Sequence, residues 1–172
     1  PGLVAEAFLS QQFPQRQVVR TEVRQMVQRI LDAYVALIQT QNTWMSAEAK
    51  VIAVEKIRNI IIRVAEPDEW SVEPFASRLS RDRFDHNMNM IRRYRVQRNL
   101  LRWQNMDRNG LAHFSMPLFE INAYYSGHTN TITILAGVLQ PPFYTLSYND
   151  VSKYGILGAI IGHELGHALD GH

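Results

Sequence analysis

The sequence has no cysteine. That excludes disulfides and thiolate metal ligands, so any metal site must be built from imidazole and carboxylate groups. Long apolar runs are missing as well. The longest, Gly155 to Gly162, is too short to cross a bilayer, and the N-terminus lacks a charged stretch followed by an apolar one. Net charge is small: 18 Lys and Arg against 16 Asp and Glu leave +2, although the pI is about 9.1. No strong field therefore directs the chain to nucleic acid or an acidic membrane surface. With 172 residues, 46% of them hydrophobic, a single domain with a sizeable core is expected rather than disorder. Pro1 in place of Met, and an end at Asp170-Gly171-His172, lead us to expect a piece cut or cloned from a longer polypeptide.

Apolar spacing predicts helices first. Val19, Val23, Met26, Val27, Ile30, Tyr34, Leu37 and Ile38 recur at intervals that place them on one helical face. After a polar turn, Ser46 is a plausible N-cap for a second helix through Val51, Val54, Ile57, Ile61 and Val64, the pair forming a hairpin. Glu66-Pro67-Asp68-Glu69 breaks the pattern. Phe84, Met88, Ile91, Tyr94 and Leu101 then mark a third long helix. Its neighbourhood carries Arg78, Arg81, Arg83, Arg92, Arg93, Arg95, Arg98, Arg102 and Arg108 without a Lys. Asp82, Asp85 and Asp107 interleave, so we read a solvated face rather than a nucleic-acid site, with Trp103 and Met106 in the core.

The pattern changes after Gly110. Ile121 to Tyr125 and Thr131 to Leu135 are β-branched and aromatic runs joined by Ser126-Gly127-His128-Thr129-Asn130, which predicts a hairpin. Gln140-Pro141-Pro142 forces a loop. Asp150 or Ser152 is expected to cap a last helix that runs through Tyr154, Ile156, Leu157, Ile160 and Ile161 to an end near Gly171.

That last helix carries His163-Glu164-Leu165-Gly166-His167. Residues four apart share a helix face, so His163 and His167 can address one metal ion while Glu164 stands beside it as a general base. Zinc is the expected cofactor, because it acidifies water and polarises a carbonyl. Gly162 and Gly166 keep bulk off this face or serve as packing contacts. A third ligand is not evident. Asp170 faces the same side as His163 but about 10 Å along a straight helix, it occupies the place where metzincins bend at Gly, and His172 is therefore not expected to ligate. His113, His128 and Glu120 are more ordinary as surface residues, and we expect the third ligand outside the chain.

Several segments together resemble the neprilysin-type gluzincins. They are Ile121-Asn122-Ala123-Tyr124-Tyr125, then Ala136-Gly137-Val138-Leu139-Gln140-Pro141-Pro142-Phe143, then Tyr154-Gly155 and Gly162 to Asp170, in the family's order and spacing, with Trp44-Met45 and Pro67-Asp68 as weaker landmarks. The resemblance implies zinc on His163 and His167, Glu164 as catalytic base, and Asn122 and Ala123 on an edge strand binding the backbone of a peptide or small-protein substrate. It also implies an α+β, mostly α fold: a truncated thermolysin-like catalytic domain with 1–110 as helical part and 111–172 as catalytic-site segment. There are departures. Ile134-Leu135 stands where the family usually has Phe-Pro, Pro117 comes one place early after Met116, and Leu165-Gly166 replaces Ile-Thr. The family's third ligand, a downstream Glu, and its later His have no counterpart.

The expected partners are thus peptide substrates and the remainder of the peptidase domain, in the same parent chain or a second one, without nucleic acid. A non-catalytic helical module that keeps an incomplete metal site is the competing reading. The resemblance is compatible with a membrane-anchored ectodomain, a secreted protein or a periplasmic one, and does not choose among them.

Overall fold

Two helices open the chain, α1 (Leu3–Gln12) and α2 (Arg16–Thr40). The computed structural model describes residues 3–68, 75–105 and 114–170. α2 buries Val19, Val23, Met26, Val27, Leu31, Val35 and Ile38, at the spacings a 3.6-residue turn demands. Leu37 was expected on this face and is exposed instead, because its neighbour Ile38 takes the buried direction about 100° away. α1, absent from the sequence reading, adds Ala5 and Leu9 to the same core.

Helix α3 (Ala47–Arg58) is capped by Ser46 as expected, its hydroxyl accepting from the Ala49 N–H at 3.2 Å. It does not continue through Ile61 and Val64. The helix stops at Arg58, and Ile61–Ala65 is a strand, β1. Periodicity allowed either form, and a pairing partner decided it, since a β-branched run gains ladder hydrogen bonds and packing in a sheet. Val51, also assigned to the buried face, is exposed.

After a single 3₁₀ turn at Ala76–Arg78 comes the third long helix, α4 (Phe84–Asn105), with Arg92, Arg93 and Arg95 exposed. Tyr94 packs its ring 5.0 Å from Phe75, and the Arg98 guanidinium lies over the same ring. The side chains of Trp103 and Met106, expected in the core, lie outside what is described.

The hairpin is present as β2 (Ala123–Ser126) and β3 (Thr131–Leu135), paired antiparallel with Tyr124 opposite Thr133. β3 also pairs parallel with β1, Arg63 opposite Thr133, so the order is β1-β3-β2. As the central strand, β3 is buried on both faces and reads as an unbroken run. Asn130 closes the hairpin with φ +48, a conformation Asn tolerates. Its carboxamide donates to the Lys56 carbonyl and accepts from the Tyr125 hydroxyl.

The C-terminal helix comes in three pieces: α5 (Asp150–Lys153), a π-helical stretch (Tyr154–Gly158) and α6 (Ala159–Gly166). Its cap is Asn149, whose oxygen accepts from the Ser152 N–H at 2.8 Å, and not Asp150 or Ser152. Nor does it reach Gly171: the α-helix ends at Gly166, and Ala168 and Leu169 bond back in short turns. The fold is α+β and mostly α, with α2 packed on α3, β1 and α6. Among the described residues, no helix is long and apolar enough to cross a membrane.

Charge locks α2 to the sheet. Arg20 donates to the Val64 and Glu66 carbonyls and pairs with Glu66 and Asp68, around the positive-φ residue Ala65. Glu66 is nearly inaccessible, with 3% of its side chain exposed. Removing Arg20 leaves the buried Glu66 carboxylate with only the long contacts from Arg16 and Gln17, both at 3.5 Å, so Arg20→Leu should lose about 3–5 kcal/mol. Arg24, paired with the exposed Asp68, should cost under about 1 kcal/mol as Arg24→Leu. Urea unfolding of both variants measures the contrast; equal losses would mean that burial of the charge is irrelevant.

Candidate active site

α6 buries Ile161 and Leu165 and turns the next residues of each turn outward. His163 is exposed, and Glu164 and His167 are half-buried. The two imidazole rings lie 4.8 Å apart, edge to face at 84°. His167 Nδ1 sits 2.7 Å from Asp170 Oδ2. That contact leaves Nε2 as the nitrogen available to a ligand and orients the ring, as a carboxylate does behind metal-bound histidines. Asp170 thus stands behind an imidazole rather than as a distant ligand. Its spacing of three from His167 was the signal for this role.

Glu164 reaches across to the sheet. Its Oε2 accepts from the Tyr125 N–H on β2 at 3.1 Å. In an antiparallel pair, alternate residues turn both N–H and C=O away from the neighbour. The Leu135 N–H donates to the Asn122 carbonyl, which places Ala123 and Tyr125 on the outward rung. Their carbonyls therefore line the open edge of β2, beside the Glu164 carboxylate. Asn122 is half-buried, with its oxygen on the Ala123 N–H at 2.9 Å and its amide 3.4 Å from Met116 Sδ. Ala123 itself is buried.

Two departures from the family pattern acquire a physical meaning here. Leu135, where Pro is usual, retains the N–H that bonds Asn122 and so extends the hairpin by one hydrogen bond. Gly166, where Thr is usual, faces the hydroxyl of Tyr34 on α2, which donates to the Gly162 carbonyl. Periodicity puts Tyr34 on a core face and gives no sign of this contact.

The lead-in to α6 is held from α2. Lys153 is buried with its ammonium on the Glu22 carboxylate, and Arg29 donates to the Tyr154 hydroxyl. Burial, with Glu22 beside it, pushes the Tyr144 phenol strongly upward.

Of the other candidate ligands, Glu120 and His128 are exposed, on a loop and in the hairpin turn. His113 and His172 lie outside the described residues. Among the described residues, no group of three His, Cys, Asp or Glu is placed to hold a metal ion. The two neighbouring imidazoles of His163 and His167, with Asp170 behind His167, are donors of the chemistry that a zinc site uses.

A histidine pair with an intervening glutamate, on a helix laid beside an open strand edge, is the arrangement of a zinc-peptidase motif. Residues 122–172 match the model of Peptidase family M13. Neprilysin-11 of Caenorhabditis elegans is 30% identical over 154 residues, which are 87% of this chain and 18% of that protein. The neutral endopeptidase of Lactococcus lactis subsp. cremoris is 30% identical, covering 88% of the chain and 24% of the relative. Among solved structures, the Mycobacterium tuberculosis zinc metalloprotease ZMP1 in complex with an inhibitor superposes with a TM-score of 0.76 at 28% identity, over 97% of this chain and 24% of that one. PEPO of Lactobacillus rhamnosis gives 0.74 at 27%, over 97% and 26%. The chain is thus related to the neprilysin-like zinc metallopeptidases of family M13, and zinc is the cofactor that this kinship implies. It spans between 18% and 26% of the length of the curated relatives it matches.

The loop leading into β2 packs closely on one glycine. A Cβ on Gly137 would come within 2.2 Å of the Glu120 carbonyl oxygen, while its N–H donates to Leu118 at 2.9 Å. The obstacle is backbone and cannot rotate away. Gly137→Ala should therefore cost at least about 1–3 kcal/mol and displace the 118–122 loop. Urea unfolding and amide chemical shifts of Asn122 to Tyr125 report both effects; unchanged shifts and stability would show that the loop is free to yield.

Proposed function

We propose that this chain is the part of an M13-type zinc endopeptidase that supplies two zinc ligands, the general base and the peptide-binding edge. The observation that carries the reading is the bond from the Tyr125 N–H to Glu164, which sets a carboxylate between the histidine pair and an open strand. Within one catalytic domain, residues 1–110 act as the helical part and 111–172 as the catalytic-site segment.

When bound, zinc supplies Lewis-acid polarisation of the scissile carbonyl and makes a water acidic near neutral pH. His163 and His167 hold the ion, with Asp170 fixing the His167 tautomer. Glu164 has one oxygen occupied by Tyr125 and the other available. It takes a proton from the attacking water and passes it to the leaving amine. An extended peptide adds to the edge of β2, meeting the Ala123 carbonyl, and the Asn122 carboxamide leaves its local contacts to bind the peptide backbone. The third ligand is a carboxylate from the rest of the parent protein or a partner chain.

The test separates metal binding from chemistry in the complete protein. Glu164→Gln should retain about one zinc per chain and slow peptide hydrolysis by about 10²–10⁴-fold. His163→Ala and His167→Ala should lose metal and activity together. Retained activity in Glu164→Gln, or loss of its zinc, would sink the assignment of Glu164 as base.

A further inference from the structure

Tyr34 and the backbone it binds are 128 residues apart, yet its hydroxyl donates to the Gly162 carbonyl at 2.9 Å. Gly162 immediately precedes His163. One turn on, a Cβ at Gly166 would stand 3.8 Å from the same hydroxyl oxygen, whereas one at Gly162 would meet nothing within 4 Å. Glycine inside a helix costs about 1 kcal/mol relative to Ala, and α6 carries Gly162 and Gly166 one turn apart. The phenol thus reaches the helix backbone beside these two positions. Tyr34 is half-buried and burial raises its pKa, so it remains an O–H donor.

Thr in a helix places its own hydroxyl on the carbonyl four residues back. For position 166 that carbonyl is Gly162. The bond that Tyr34 makes from α2 is therefore the one a Thr at 166 would make from within the helix. We infer that Tyr34 is a positioning residue for the metal-binding turn, its hydroxyl holding the Gly162 carbonyl and thereby the spacing of His163 against His167. The inference rests on the reading of these histidines as metal ligands.

Four forms of the complete protein test it: unmodified, Tyr34→Phe, Gly166→Thr and the double variant, with His163→Ala as control. Cobalt(II) is titrated into each while the visible absorption of the bound ion is followed. Amide hydrogen exchange at Gly166 and His167 is read without metal. Loss of one hydrogen bond should weaken cobalt binding about 2–10-fold in Tyr34→Phe, with a changed band shape and faster exchange. Adding Gly166→Thr to that variant should restore affinity, spectrum and exchange, because the hydroxyl returns to the same carbonyl. A Tyr34→Phe chain that only melts earlier, with affinity, spectrum and exchange intact, makes the contact structural and overturns the inference. So does a double variant that stays as weak as the single one. If the unmodified complete protein and its His163→Ala variant bind cobalt alike, the metal reading itself fails and takes this one with it, an outcome recognisable from the control alone.

Discussion

The N–H of Tyr125 points off the edge of the sheet, and a half-buried backbone donor needs an acceptor. Glu164 provides it. That one bond fixes how far α6 slides along β2 and which way the carboxylate faces. It exists only because β2 is an edge strand, and β2 is at the edge only because β3 holds the centre with β1 on its other side. The requirement passes back to α3, which must end at Arg58 to release Ile61–Ala65 for pairing. A helix boundary far away in sequence is thus part of the architecture of the site.

α2 is the second constraint. At one end Arg20 satisfies two carbonyls and a buried carboxylate where β1 finishes; further along, Glu22 receives the buried ammonium of Lys153 where the last helix begins. Buried ion pairs add little net stability over apolar replacements, because desolvation offsets attraction, but a mispaired arrangement is costly. Their effect here is geometric. With β1 and α5 both registered on α2, the sheet edge and the last helix share one reference, and Tyr34 refines it by a single hydrogen bond.

The sequence disclosed elements wherever the hydrophobic period was unambiguous. α2, the capped start of α3, α4 and the hairpin could all be read, and so could the neprilysin-type motifs. Ile61 and Val64 were misassigned because a spacing of three or four also fits the end of a helix, and only the distant strand β3 decides between the two forms. The last helix shows a different limit. Lys153, Leu157, Ile161 and Leu165 are all buried at intervals of four, which in a straight α-helix drifts about 40° per step. The π-helical stretch at Tyr154–Gly158 absorbs an extra residue and helps to return that drift. No periodicity rule signals such a stretch before the backbone is seen.

For the site, the motif pointed to the groups proposed to react but not to what orients them. His163, Glu164 and His167 lie within five residues of each other, so helix geometry alone places them on neighbouring faces. Their orienting partners come from three different ranges of chain. Asp170 is one turn away and was within reach of spacing arguments. Tyr125 is 39 residues earlier and acts through its peptide N–H, so its side-chain identity leaves no trace of the role. Tyr34 appears in sequence as one more member of an apolar stripe. What distinguishes it is the Gly162 carbonyl that its hydroxyl meets, a contact that has meaning only once α2 and α6 are seen to lie together. The tyrosine thus supplies from α2 the hydroxyl that position 166, a glycine, does not supply from within α6.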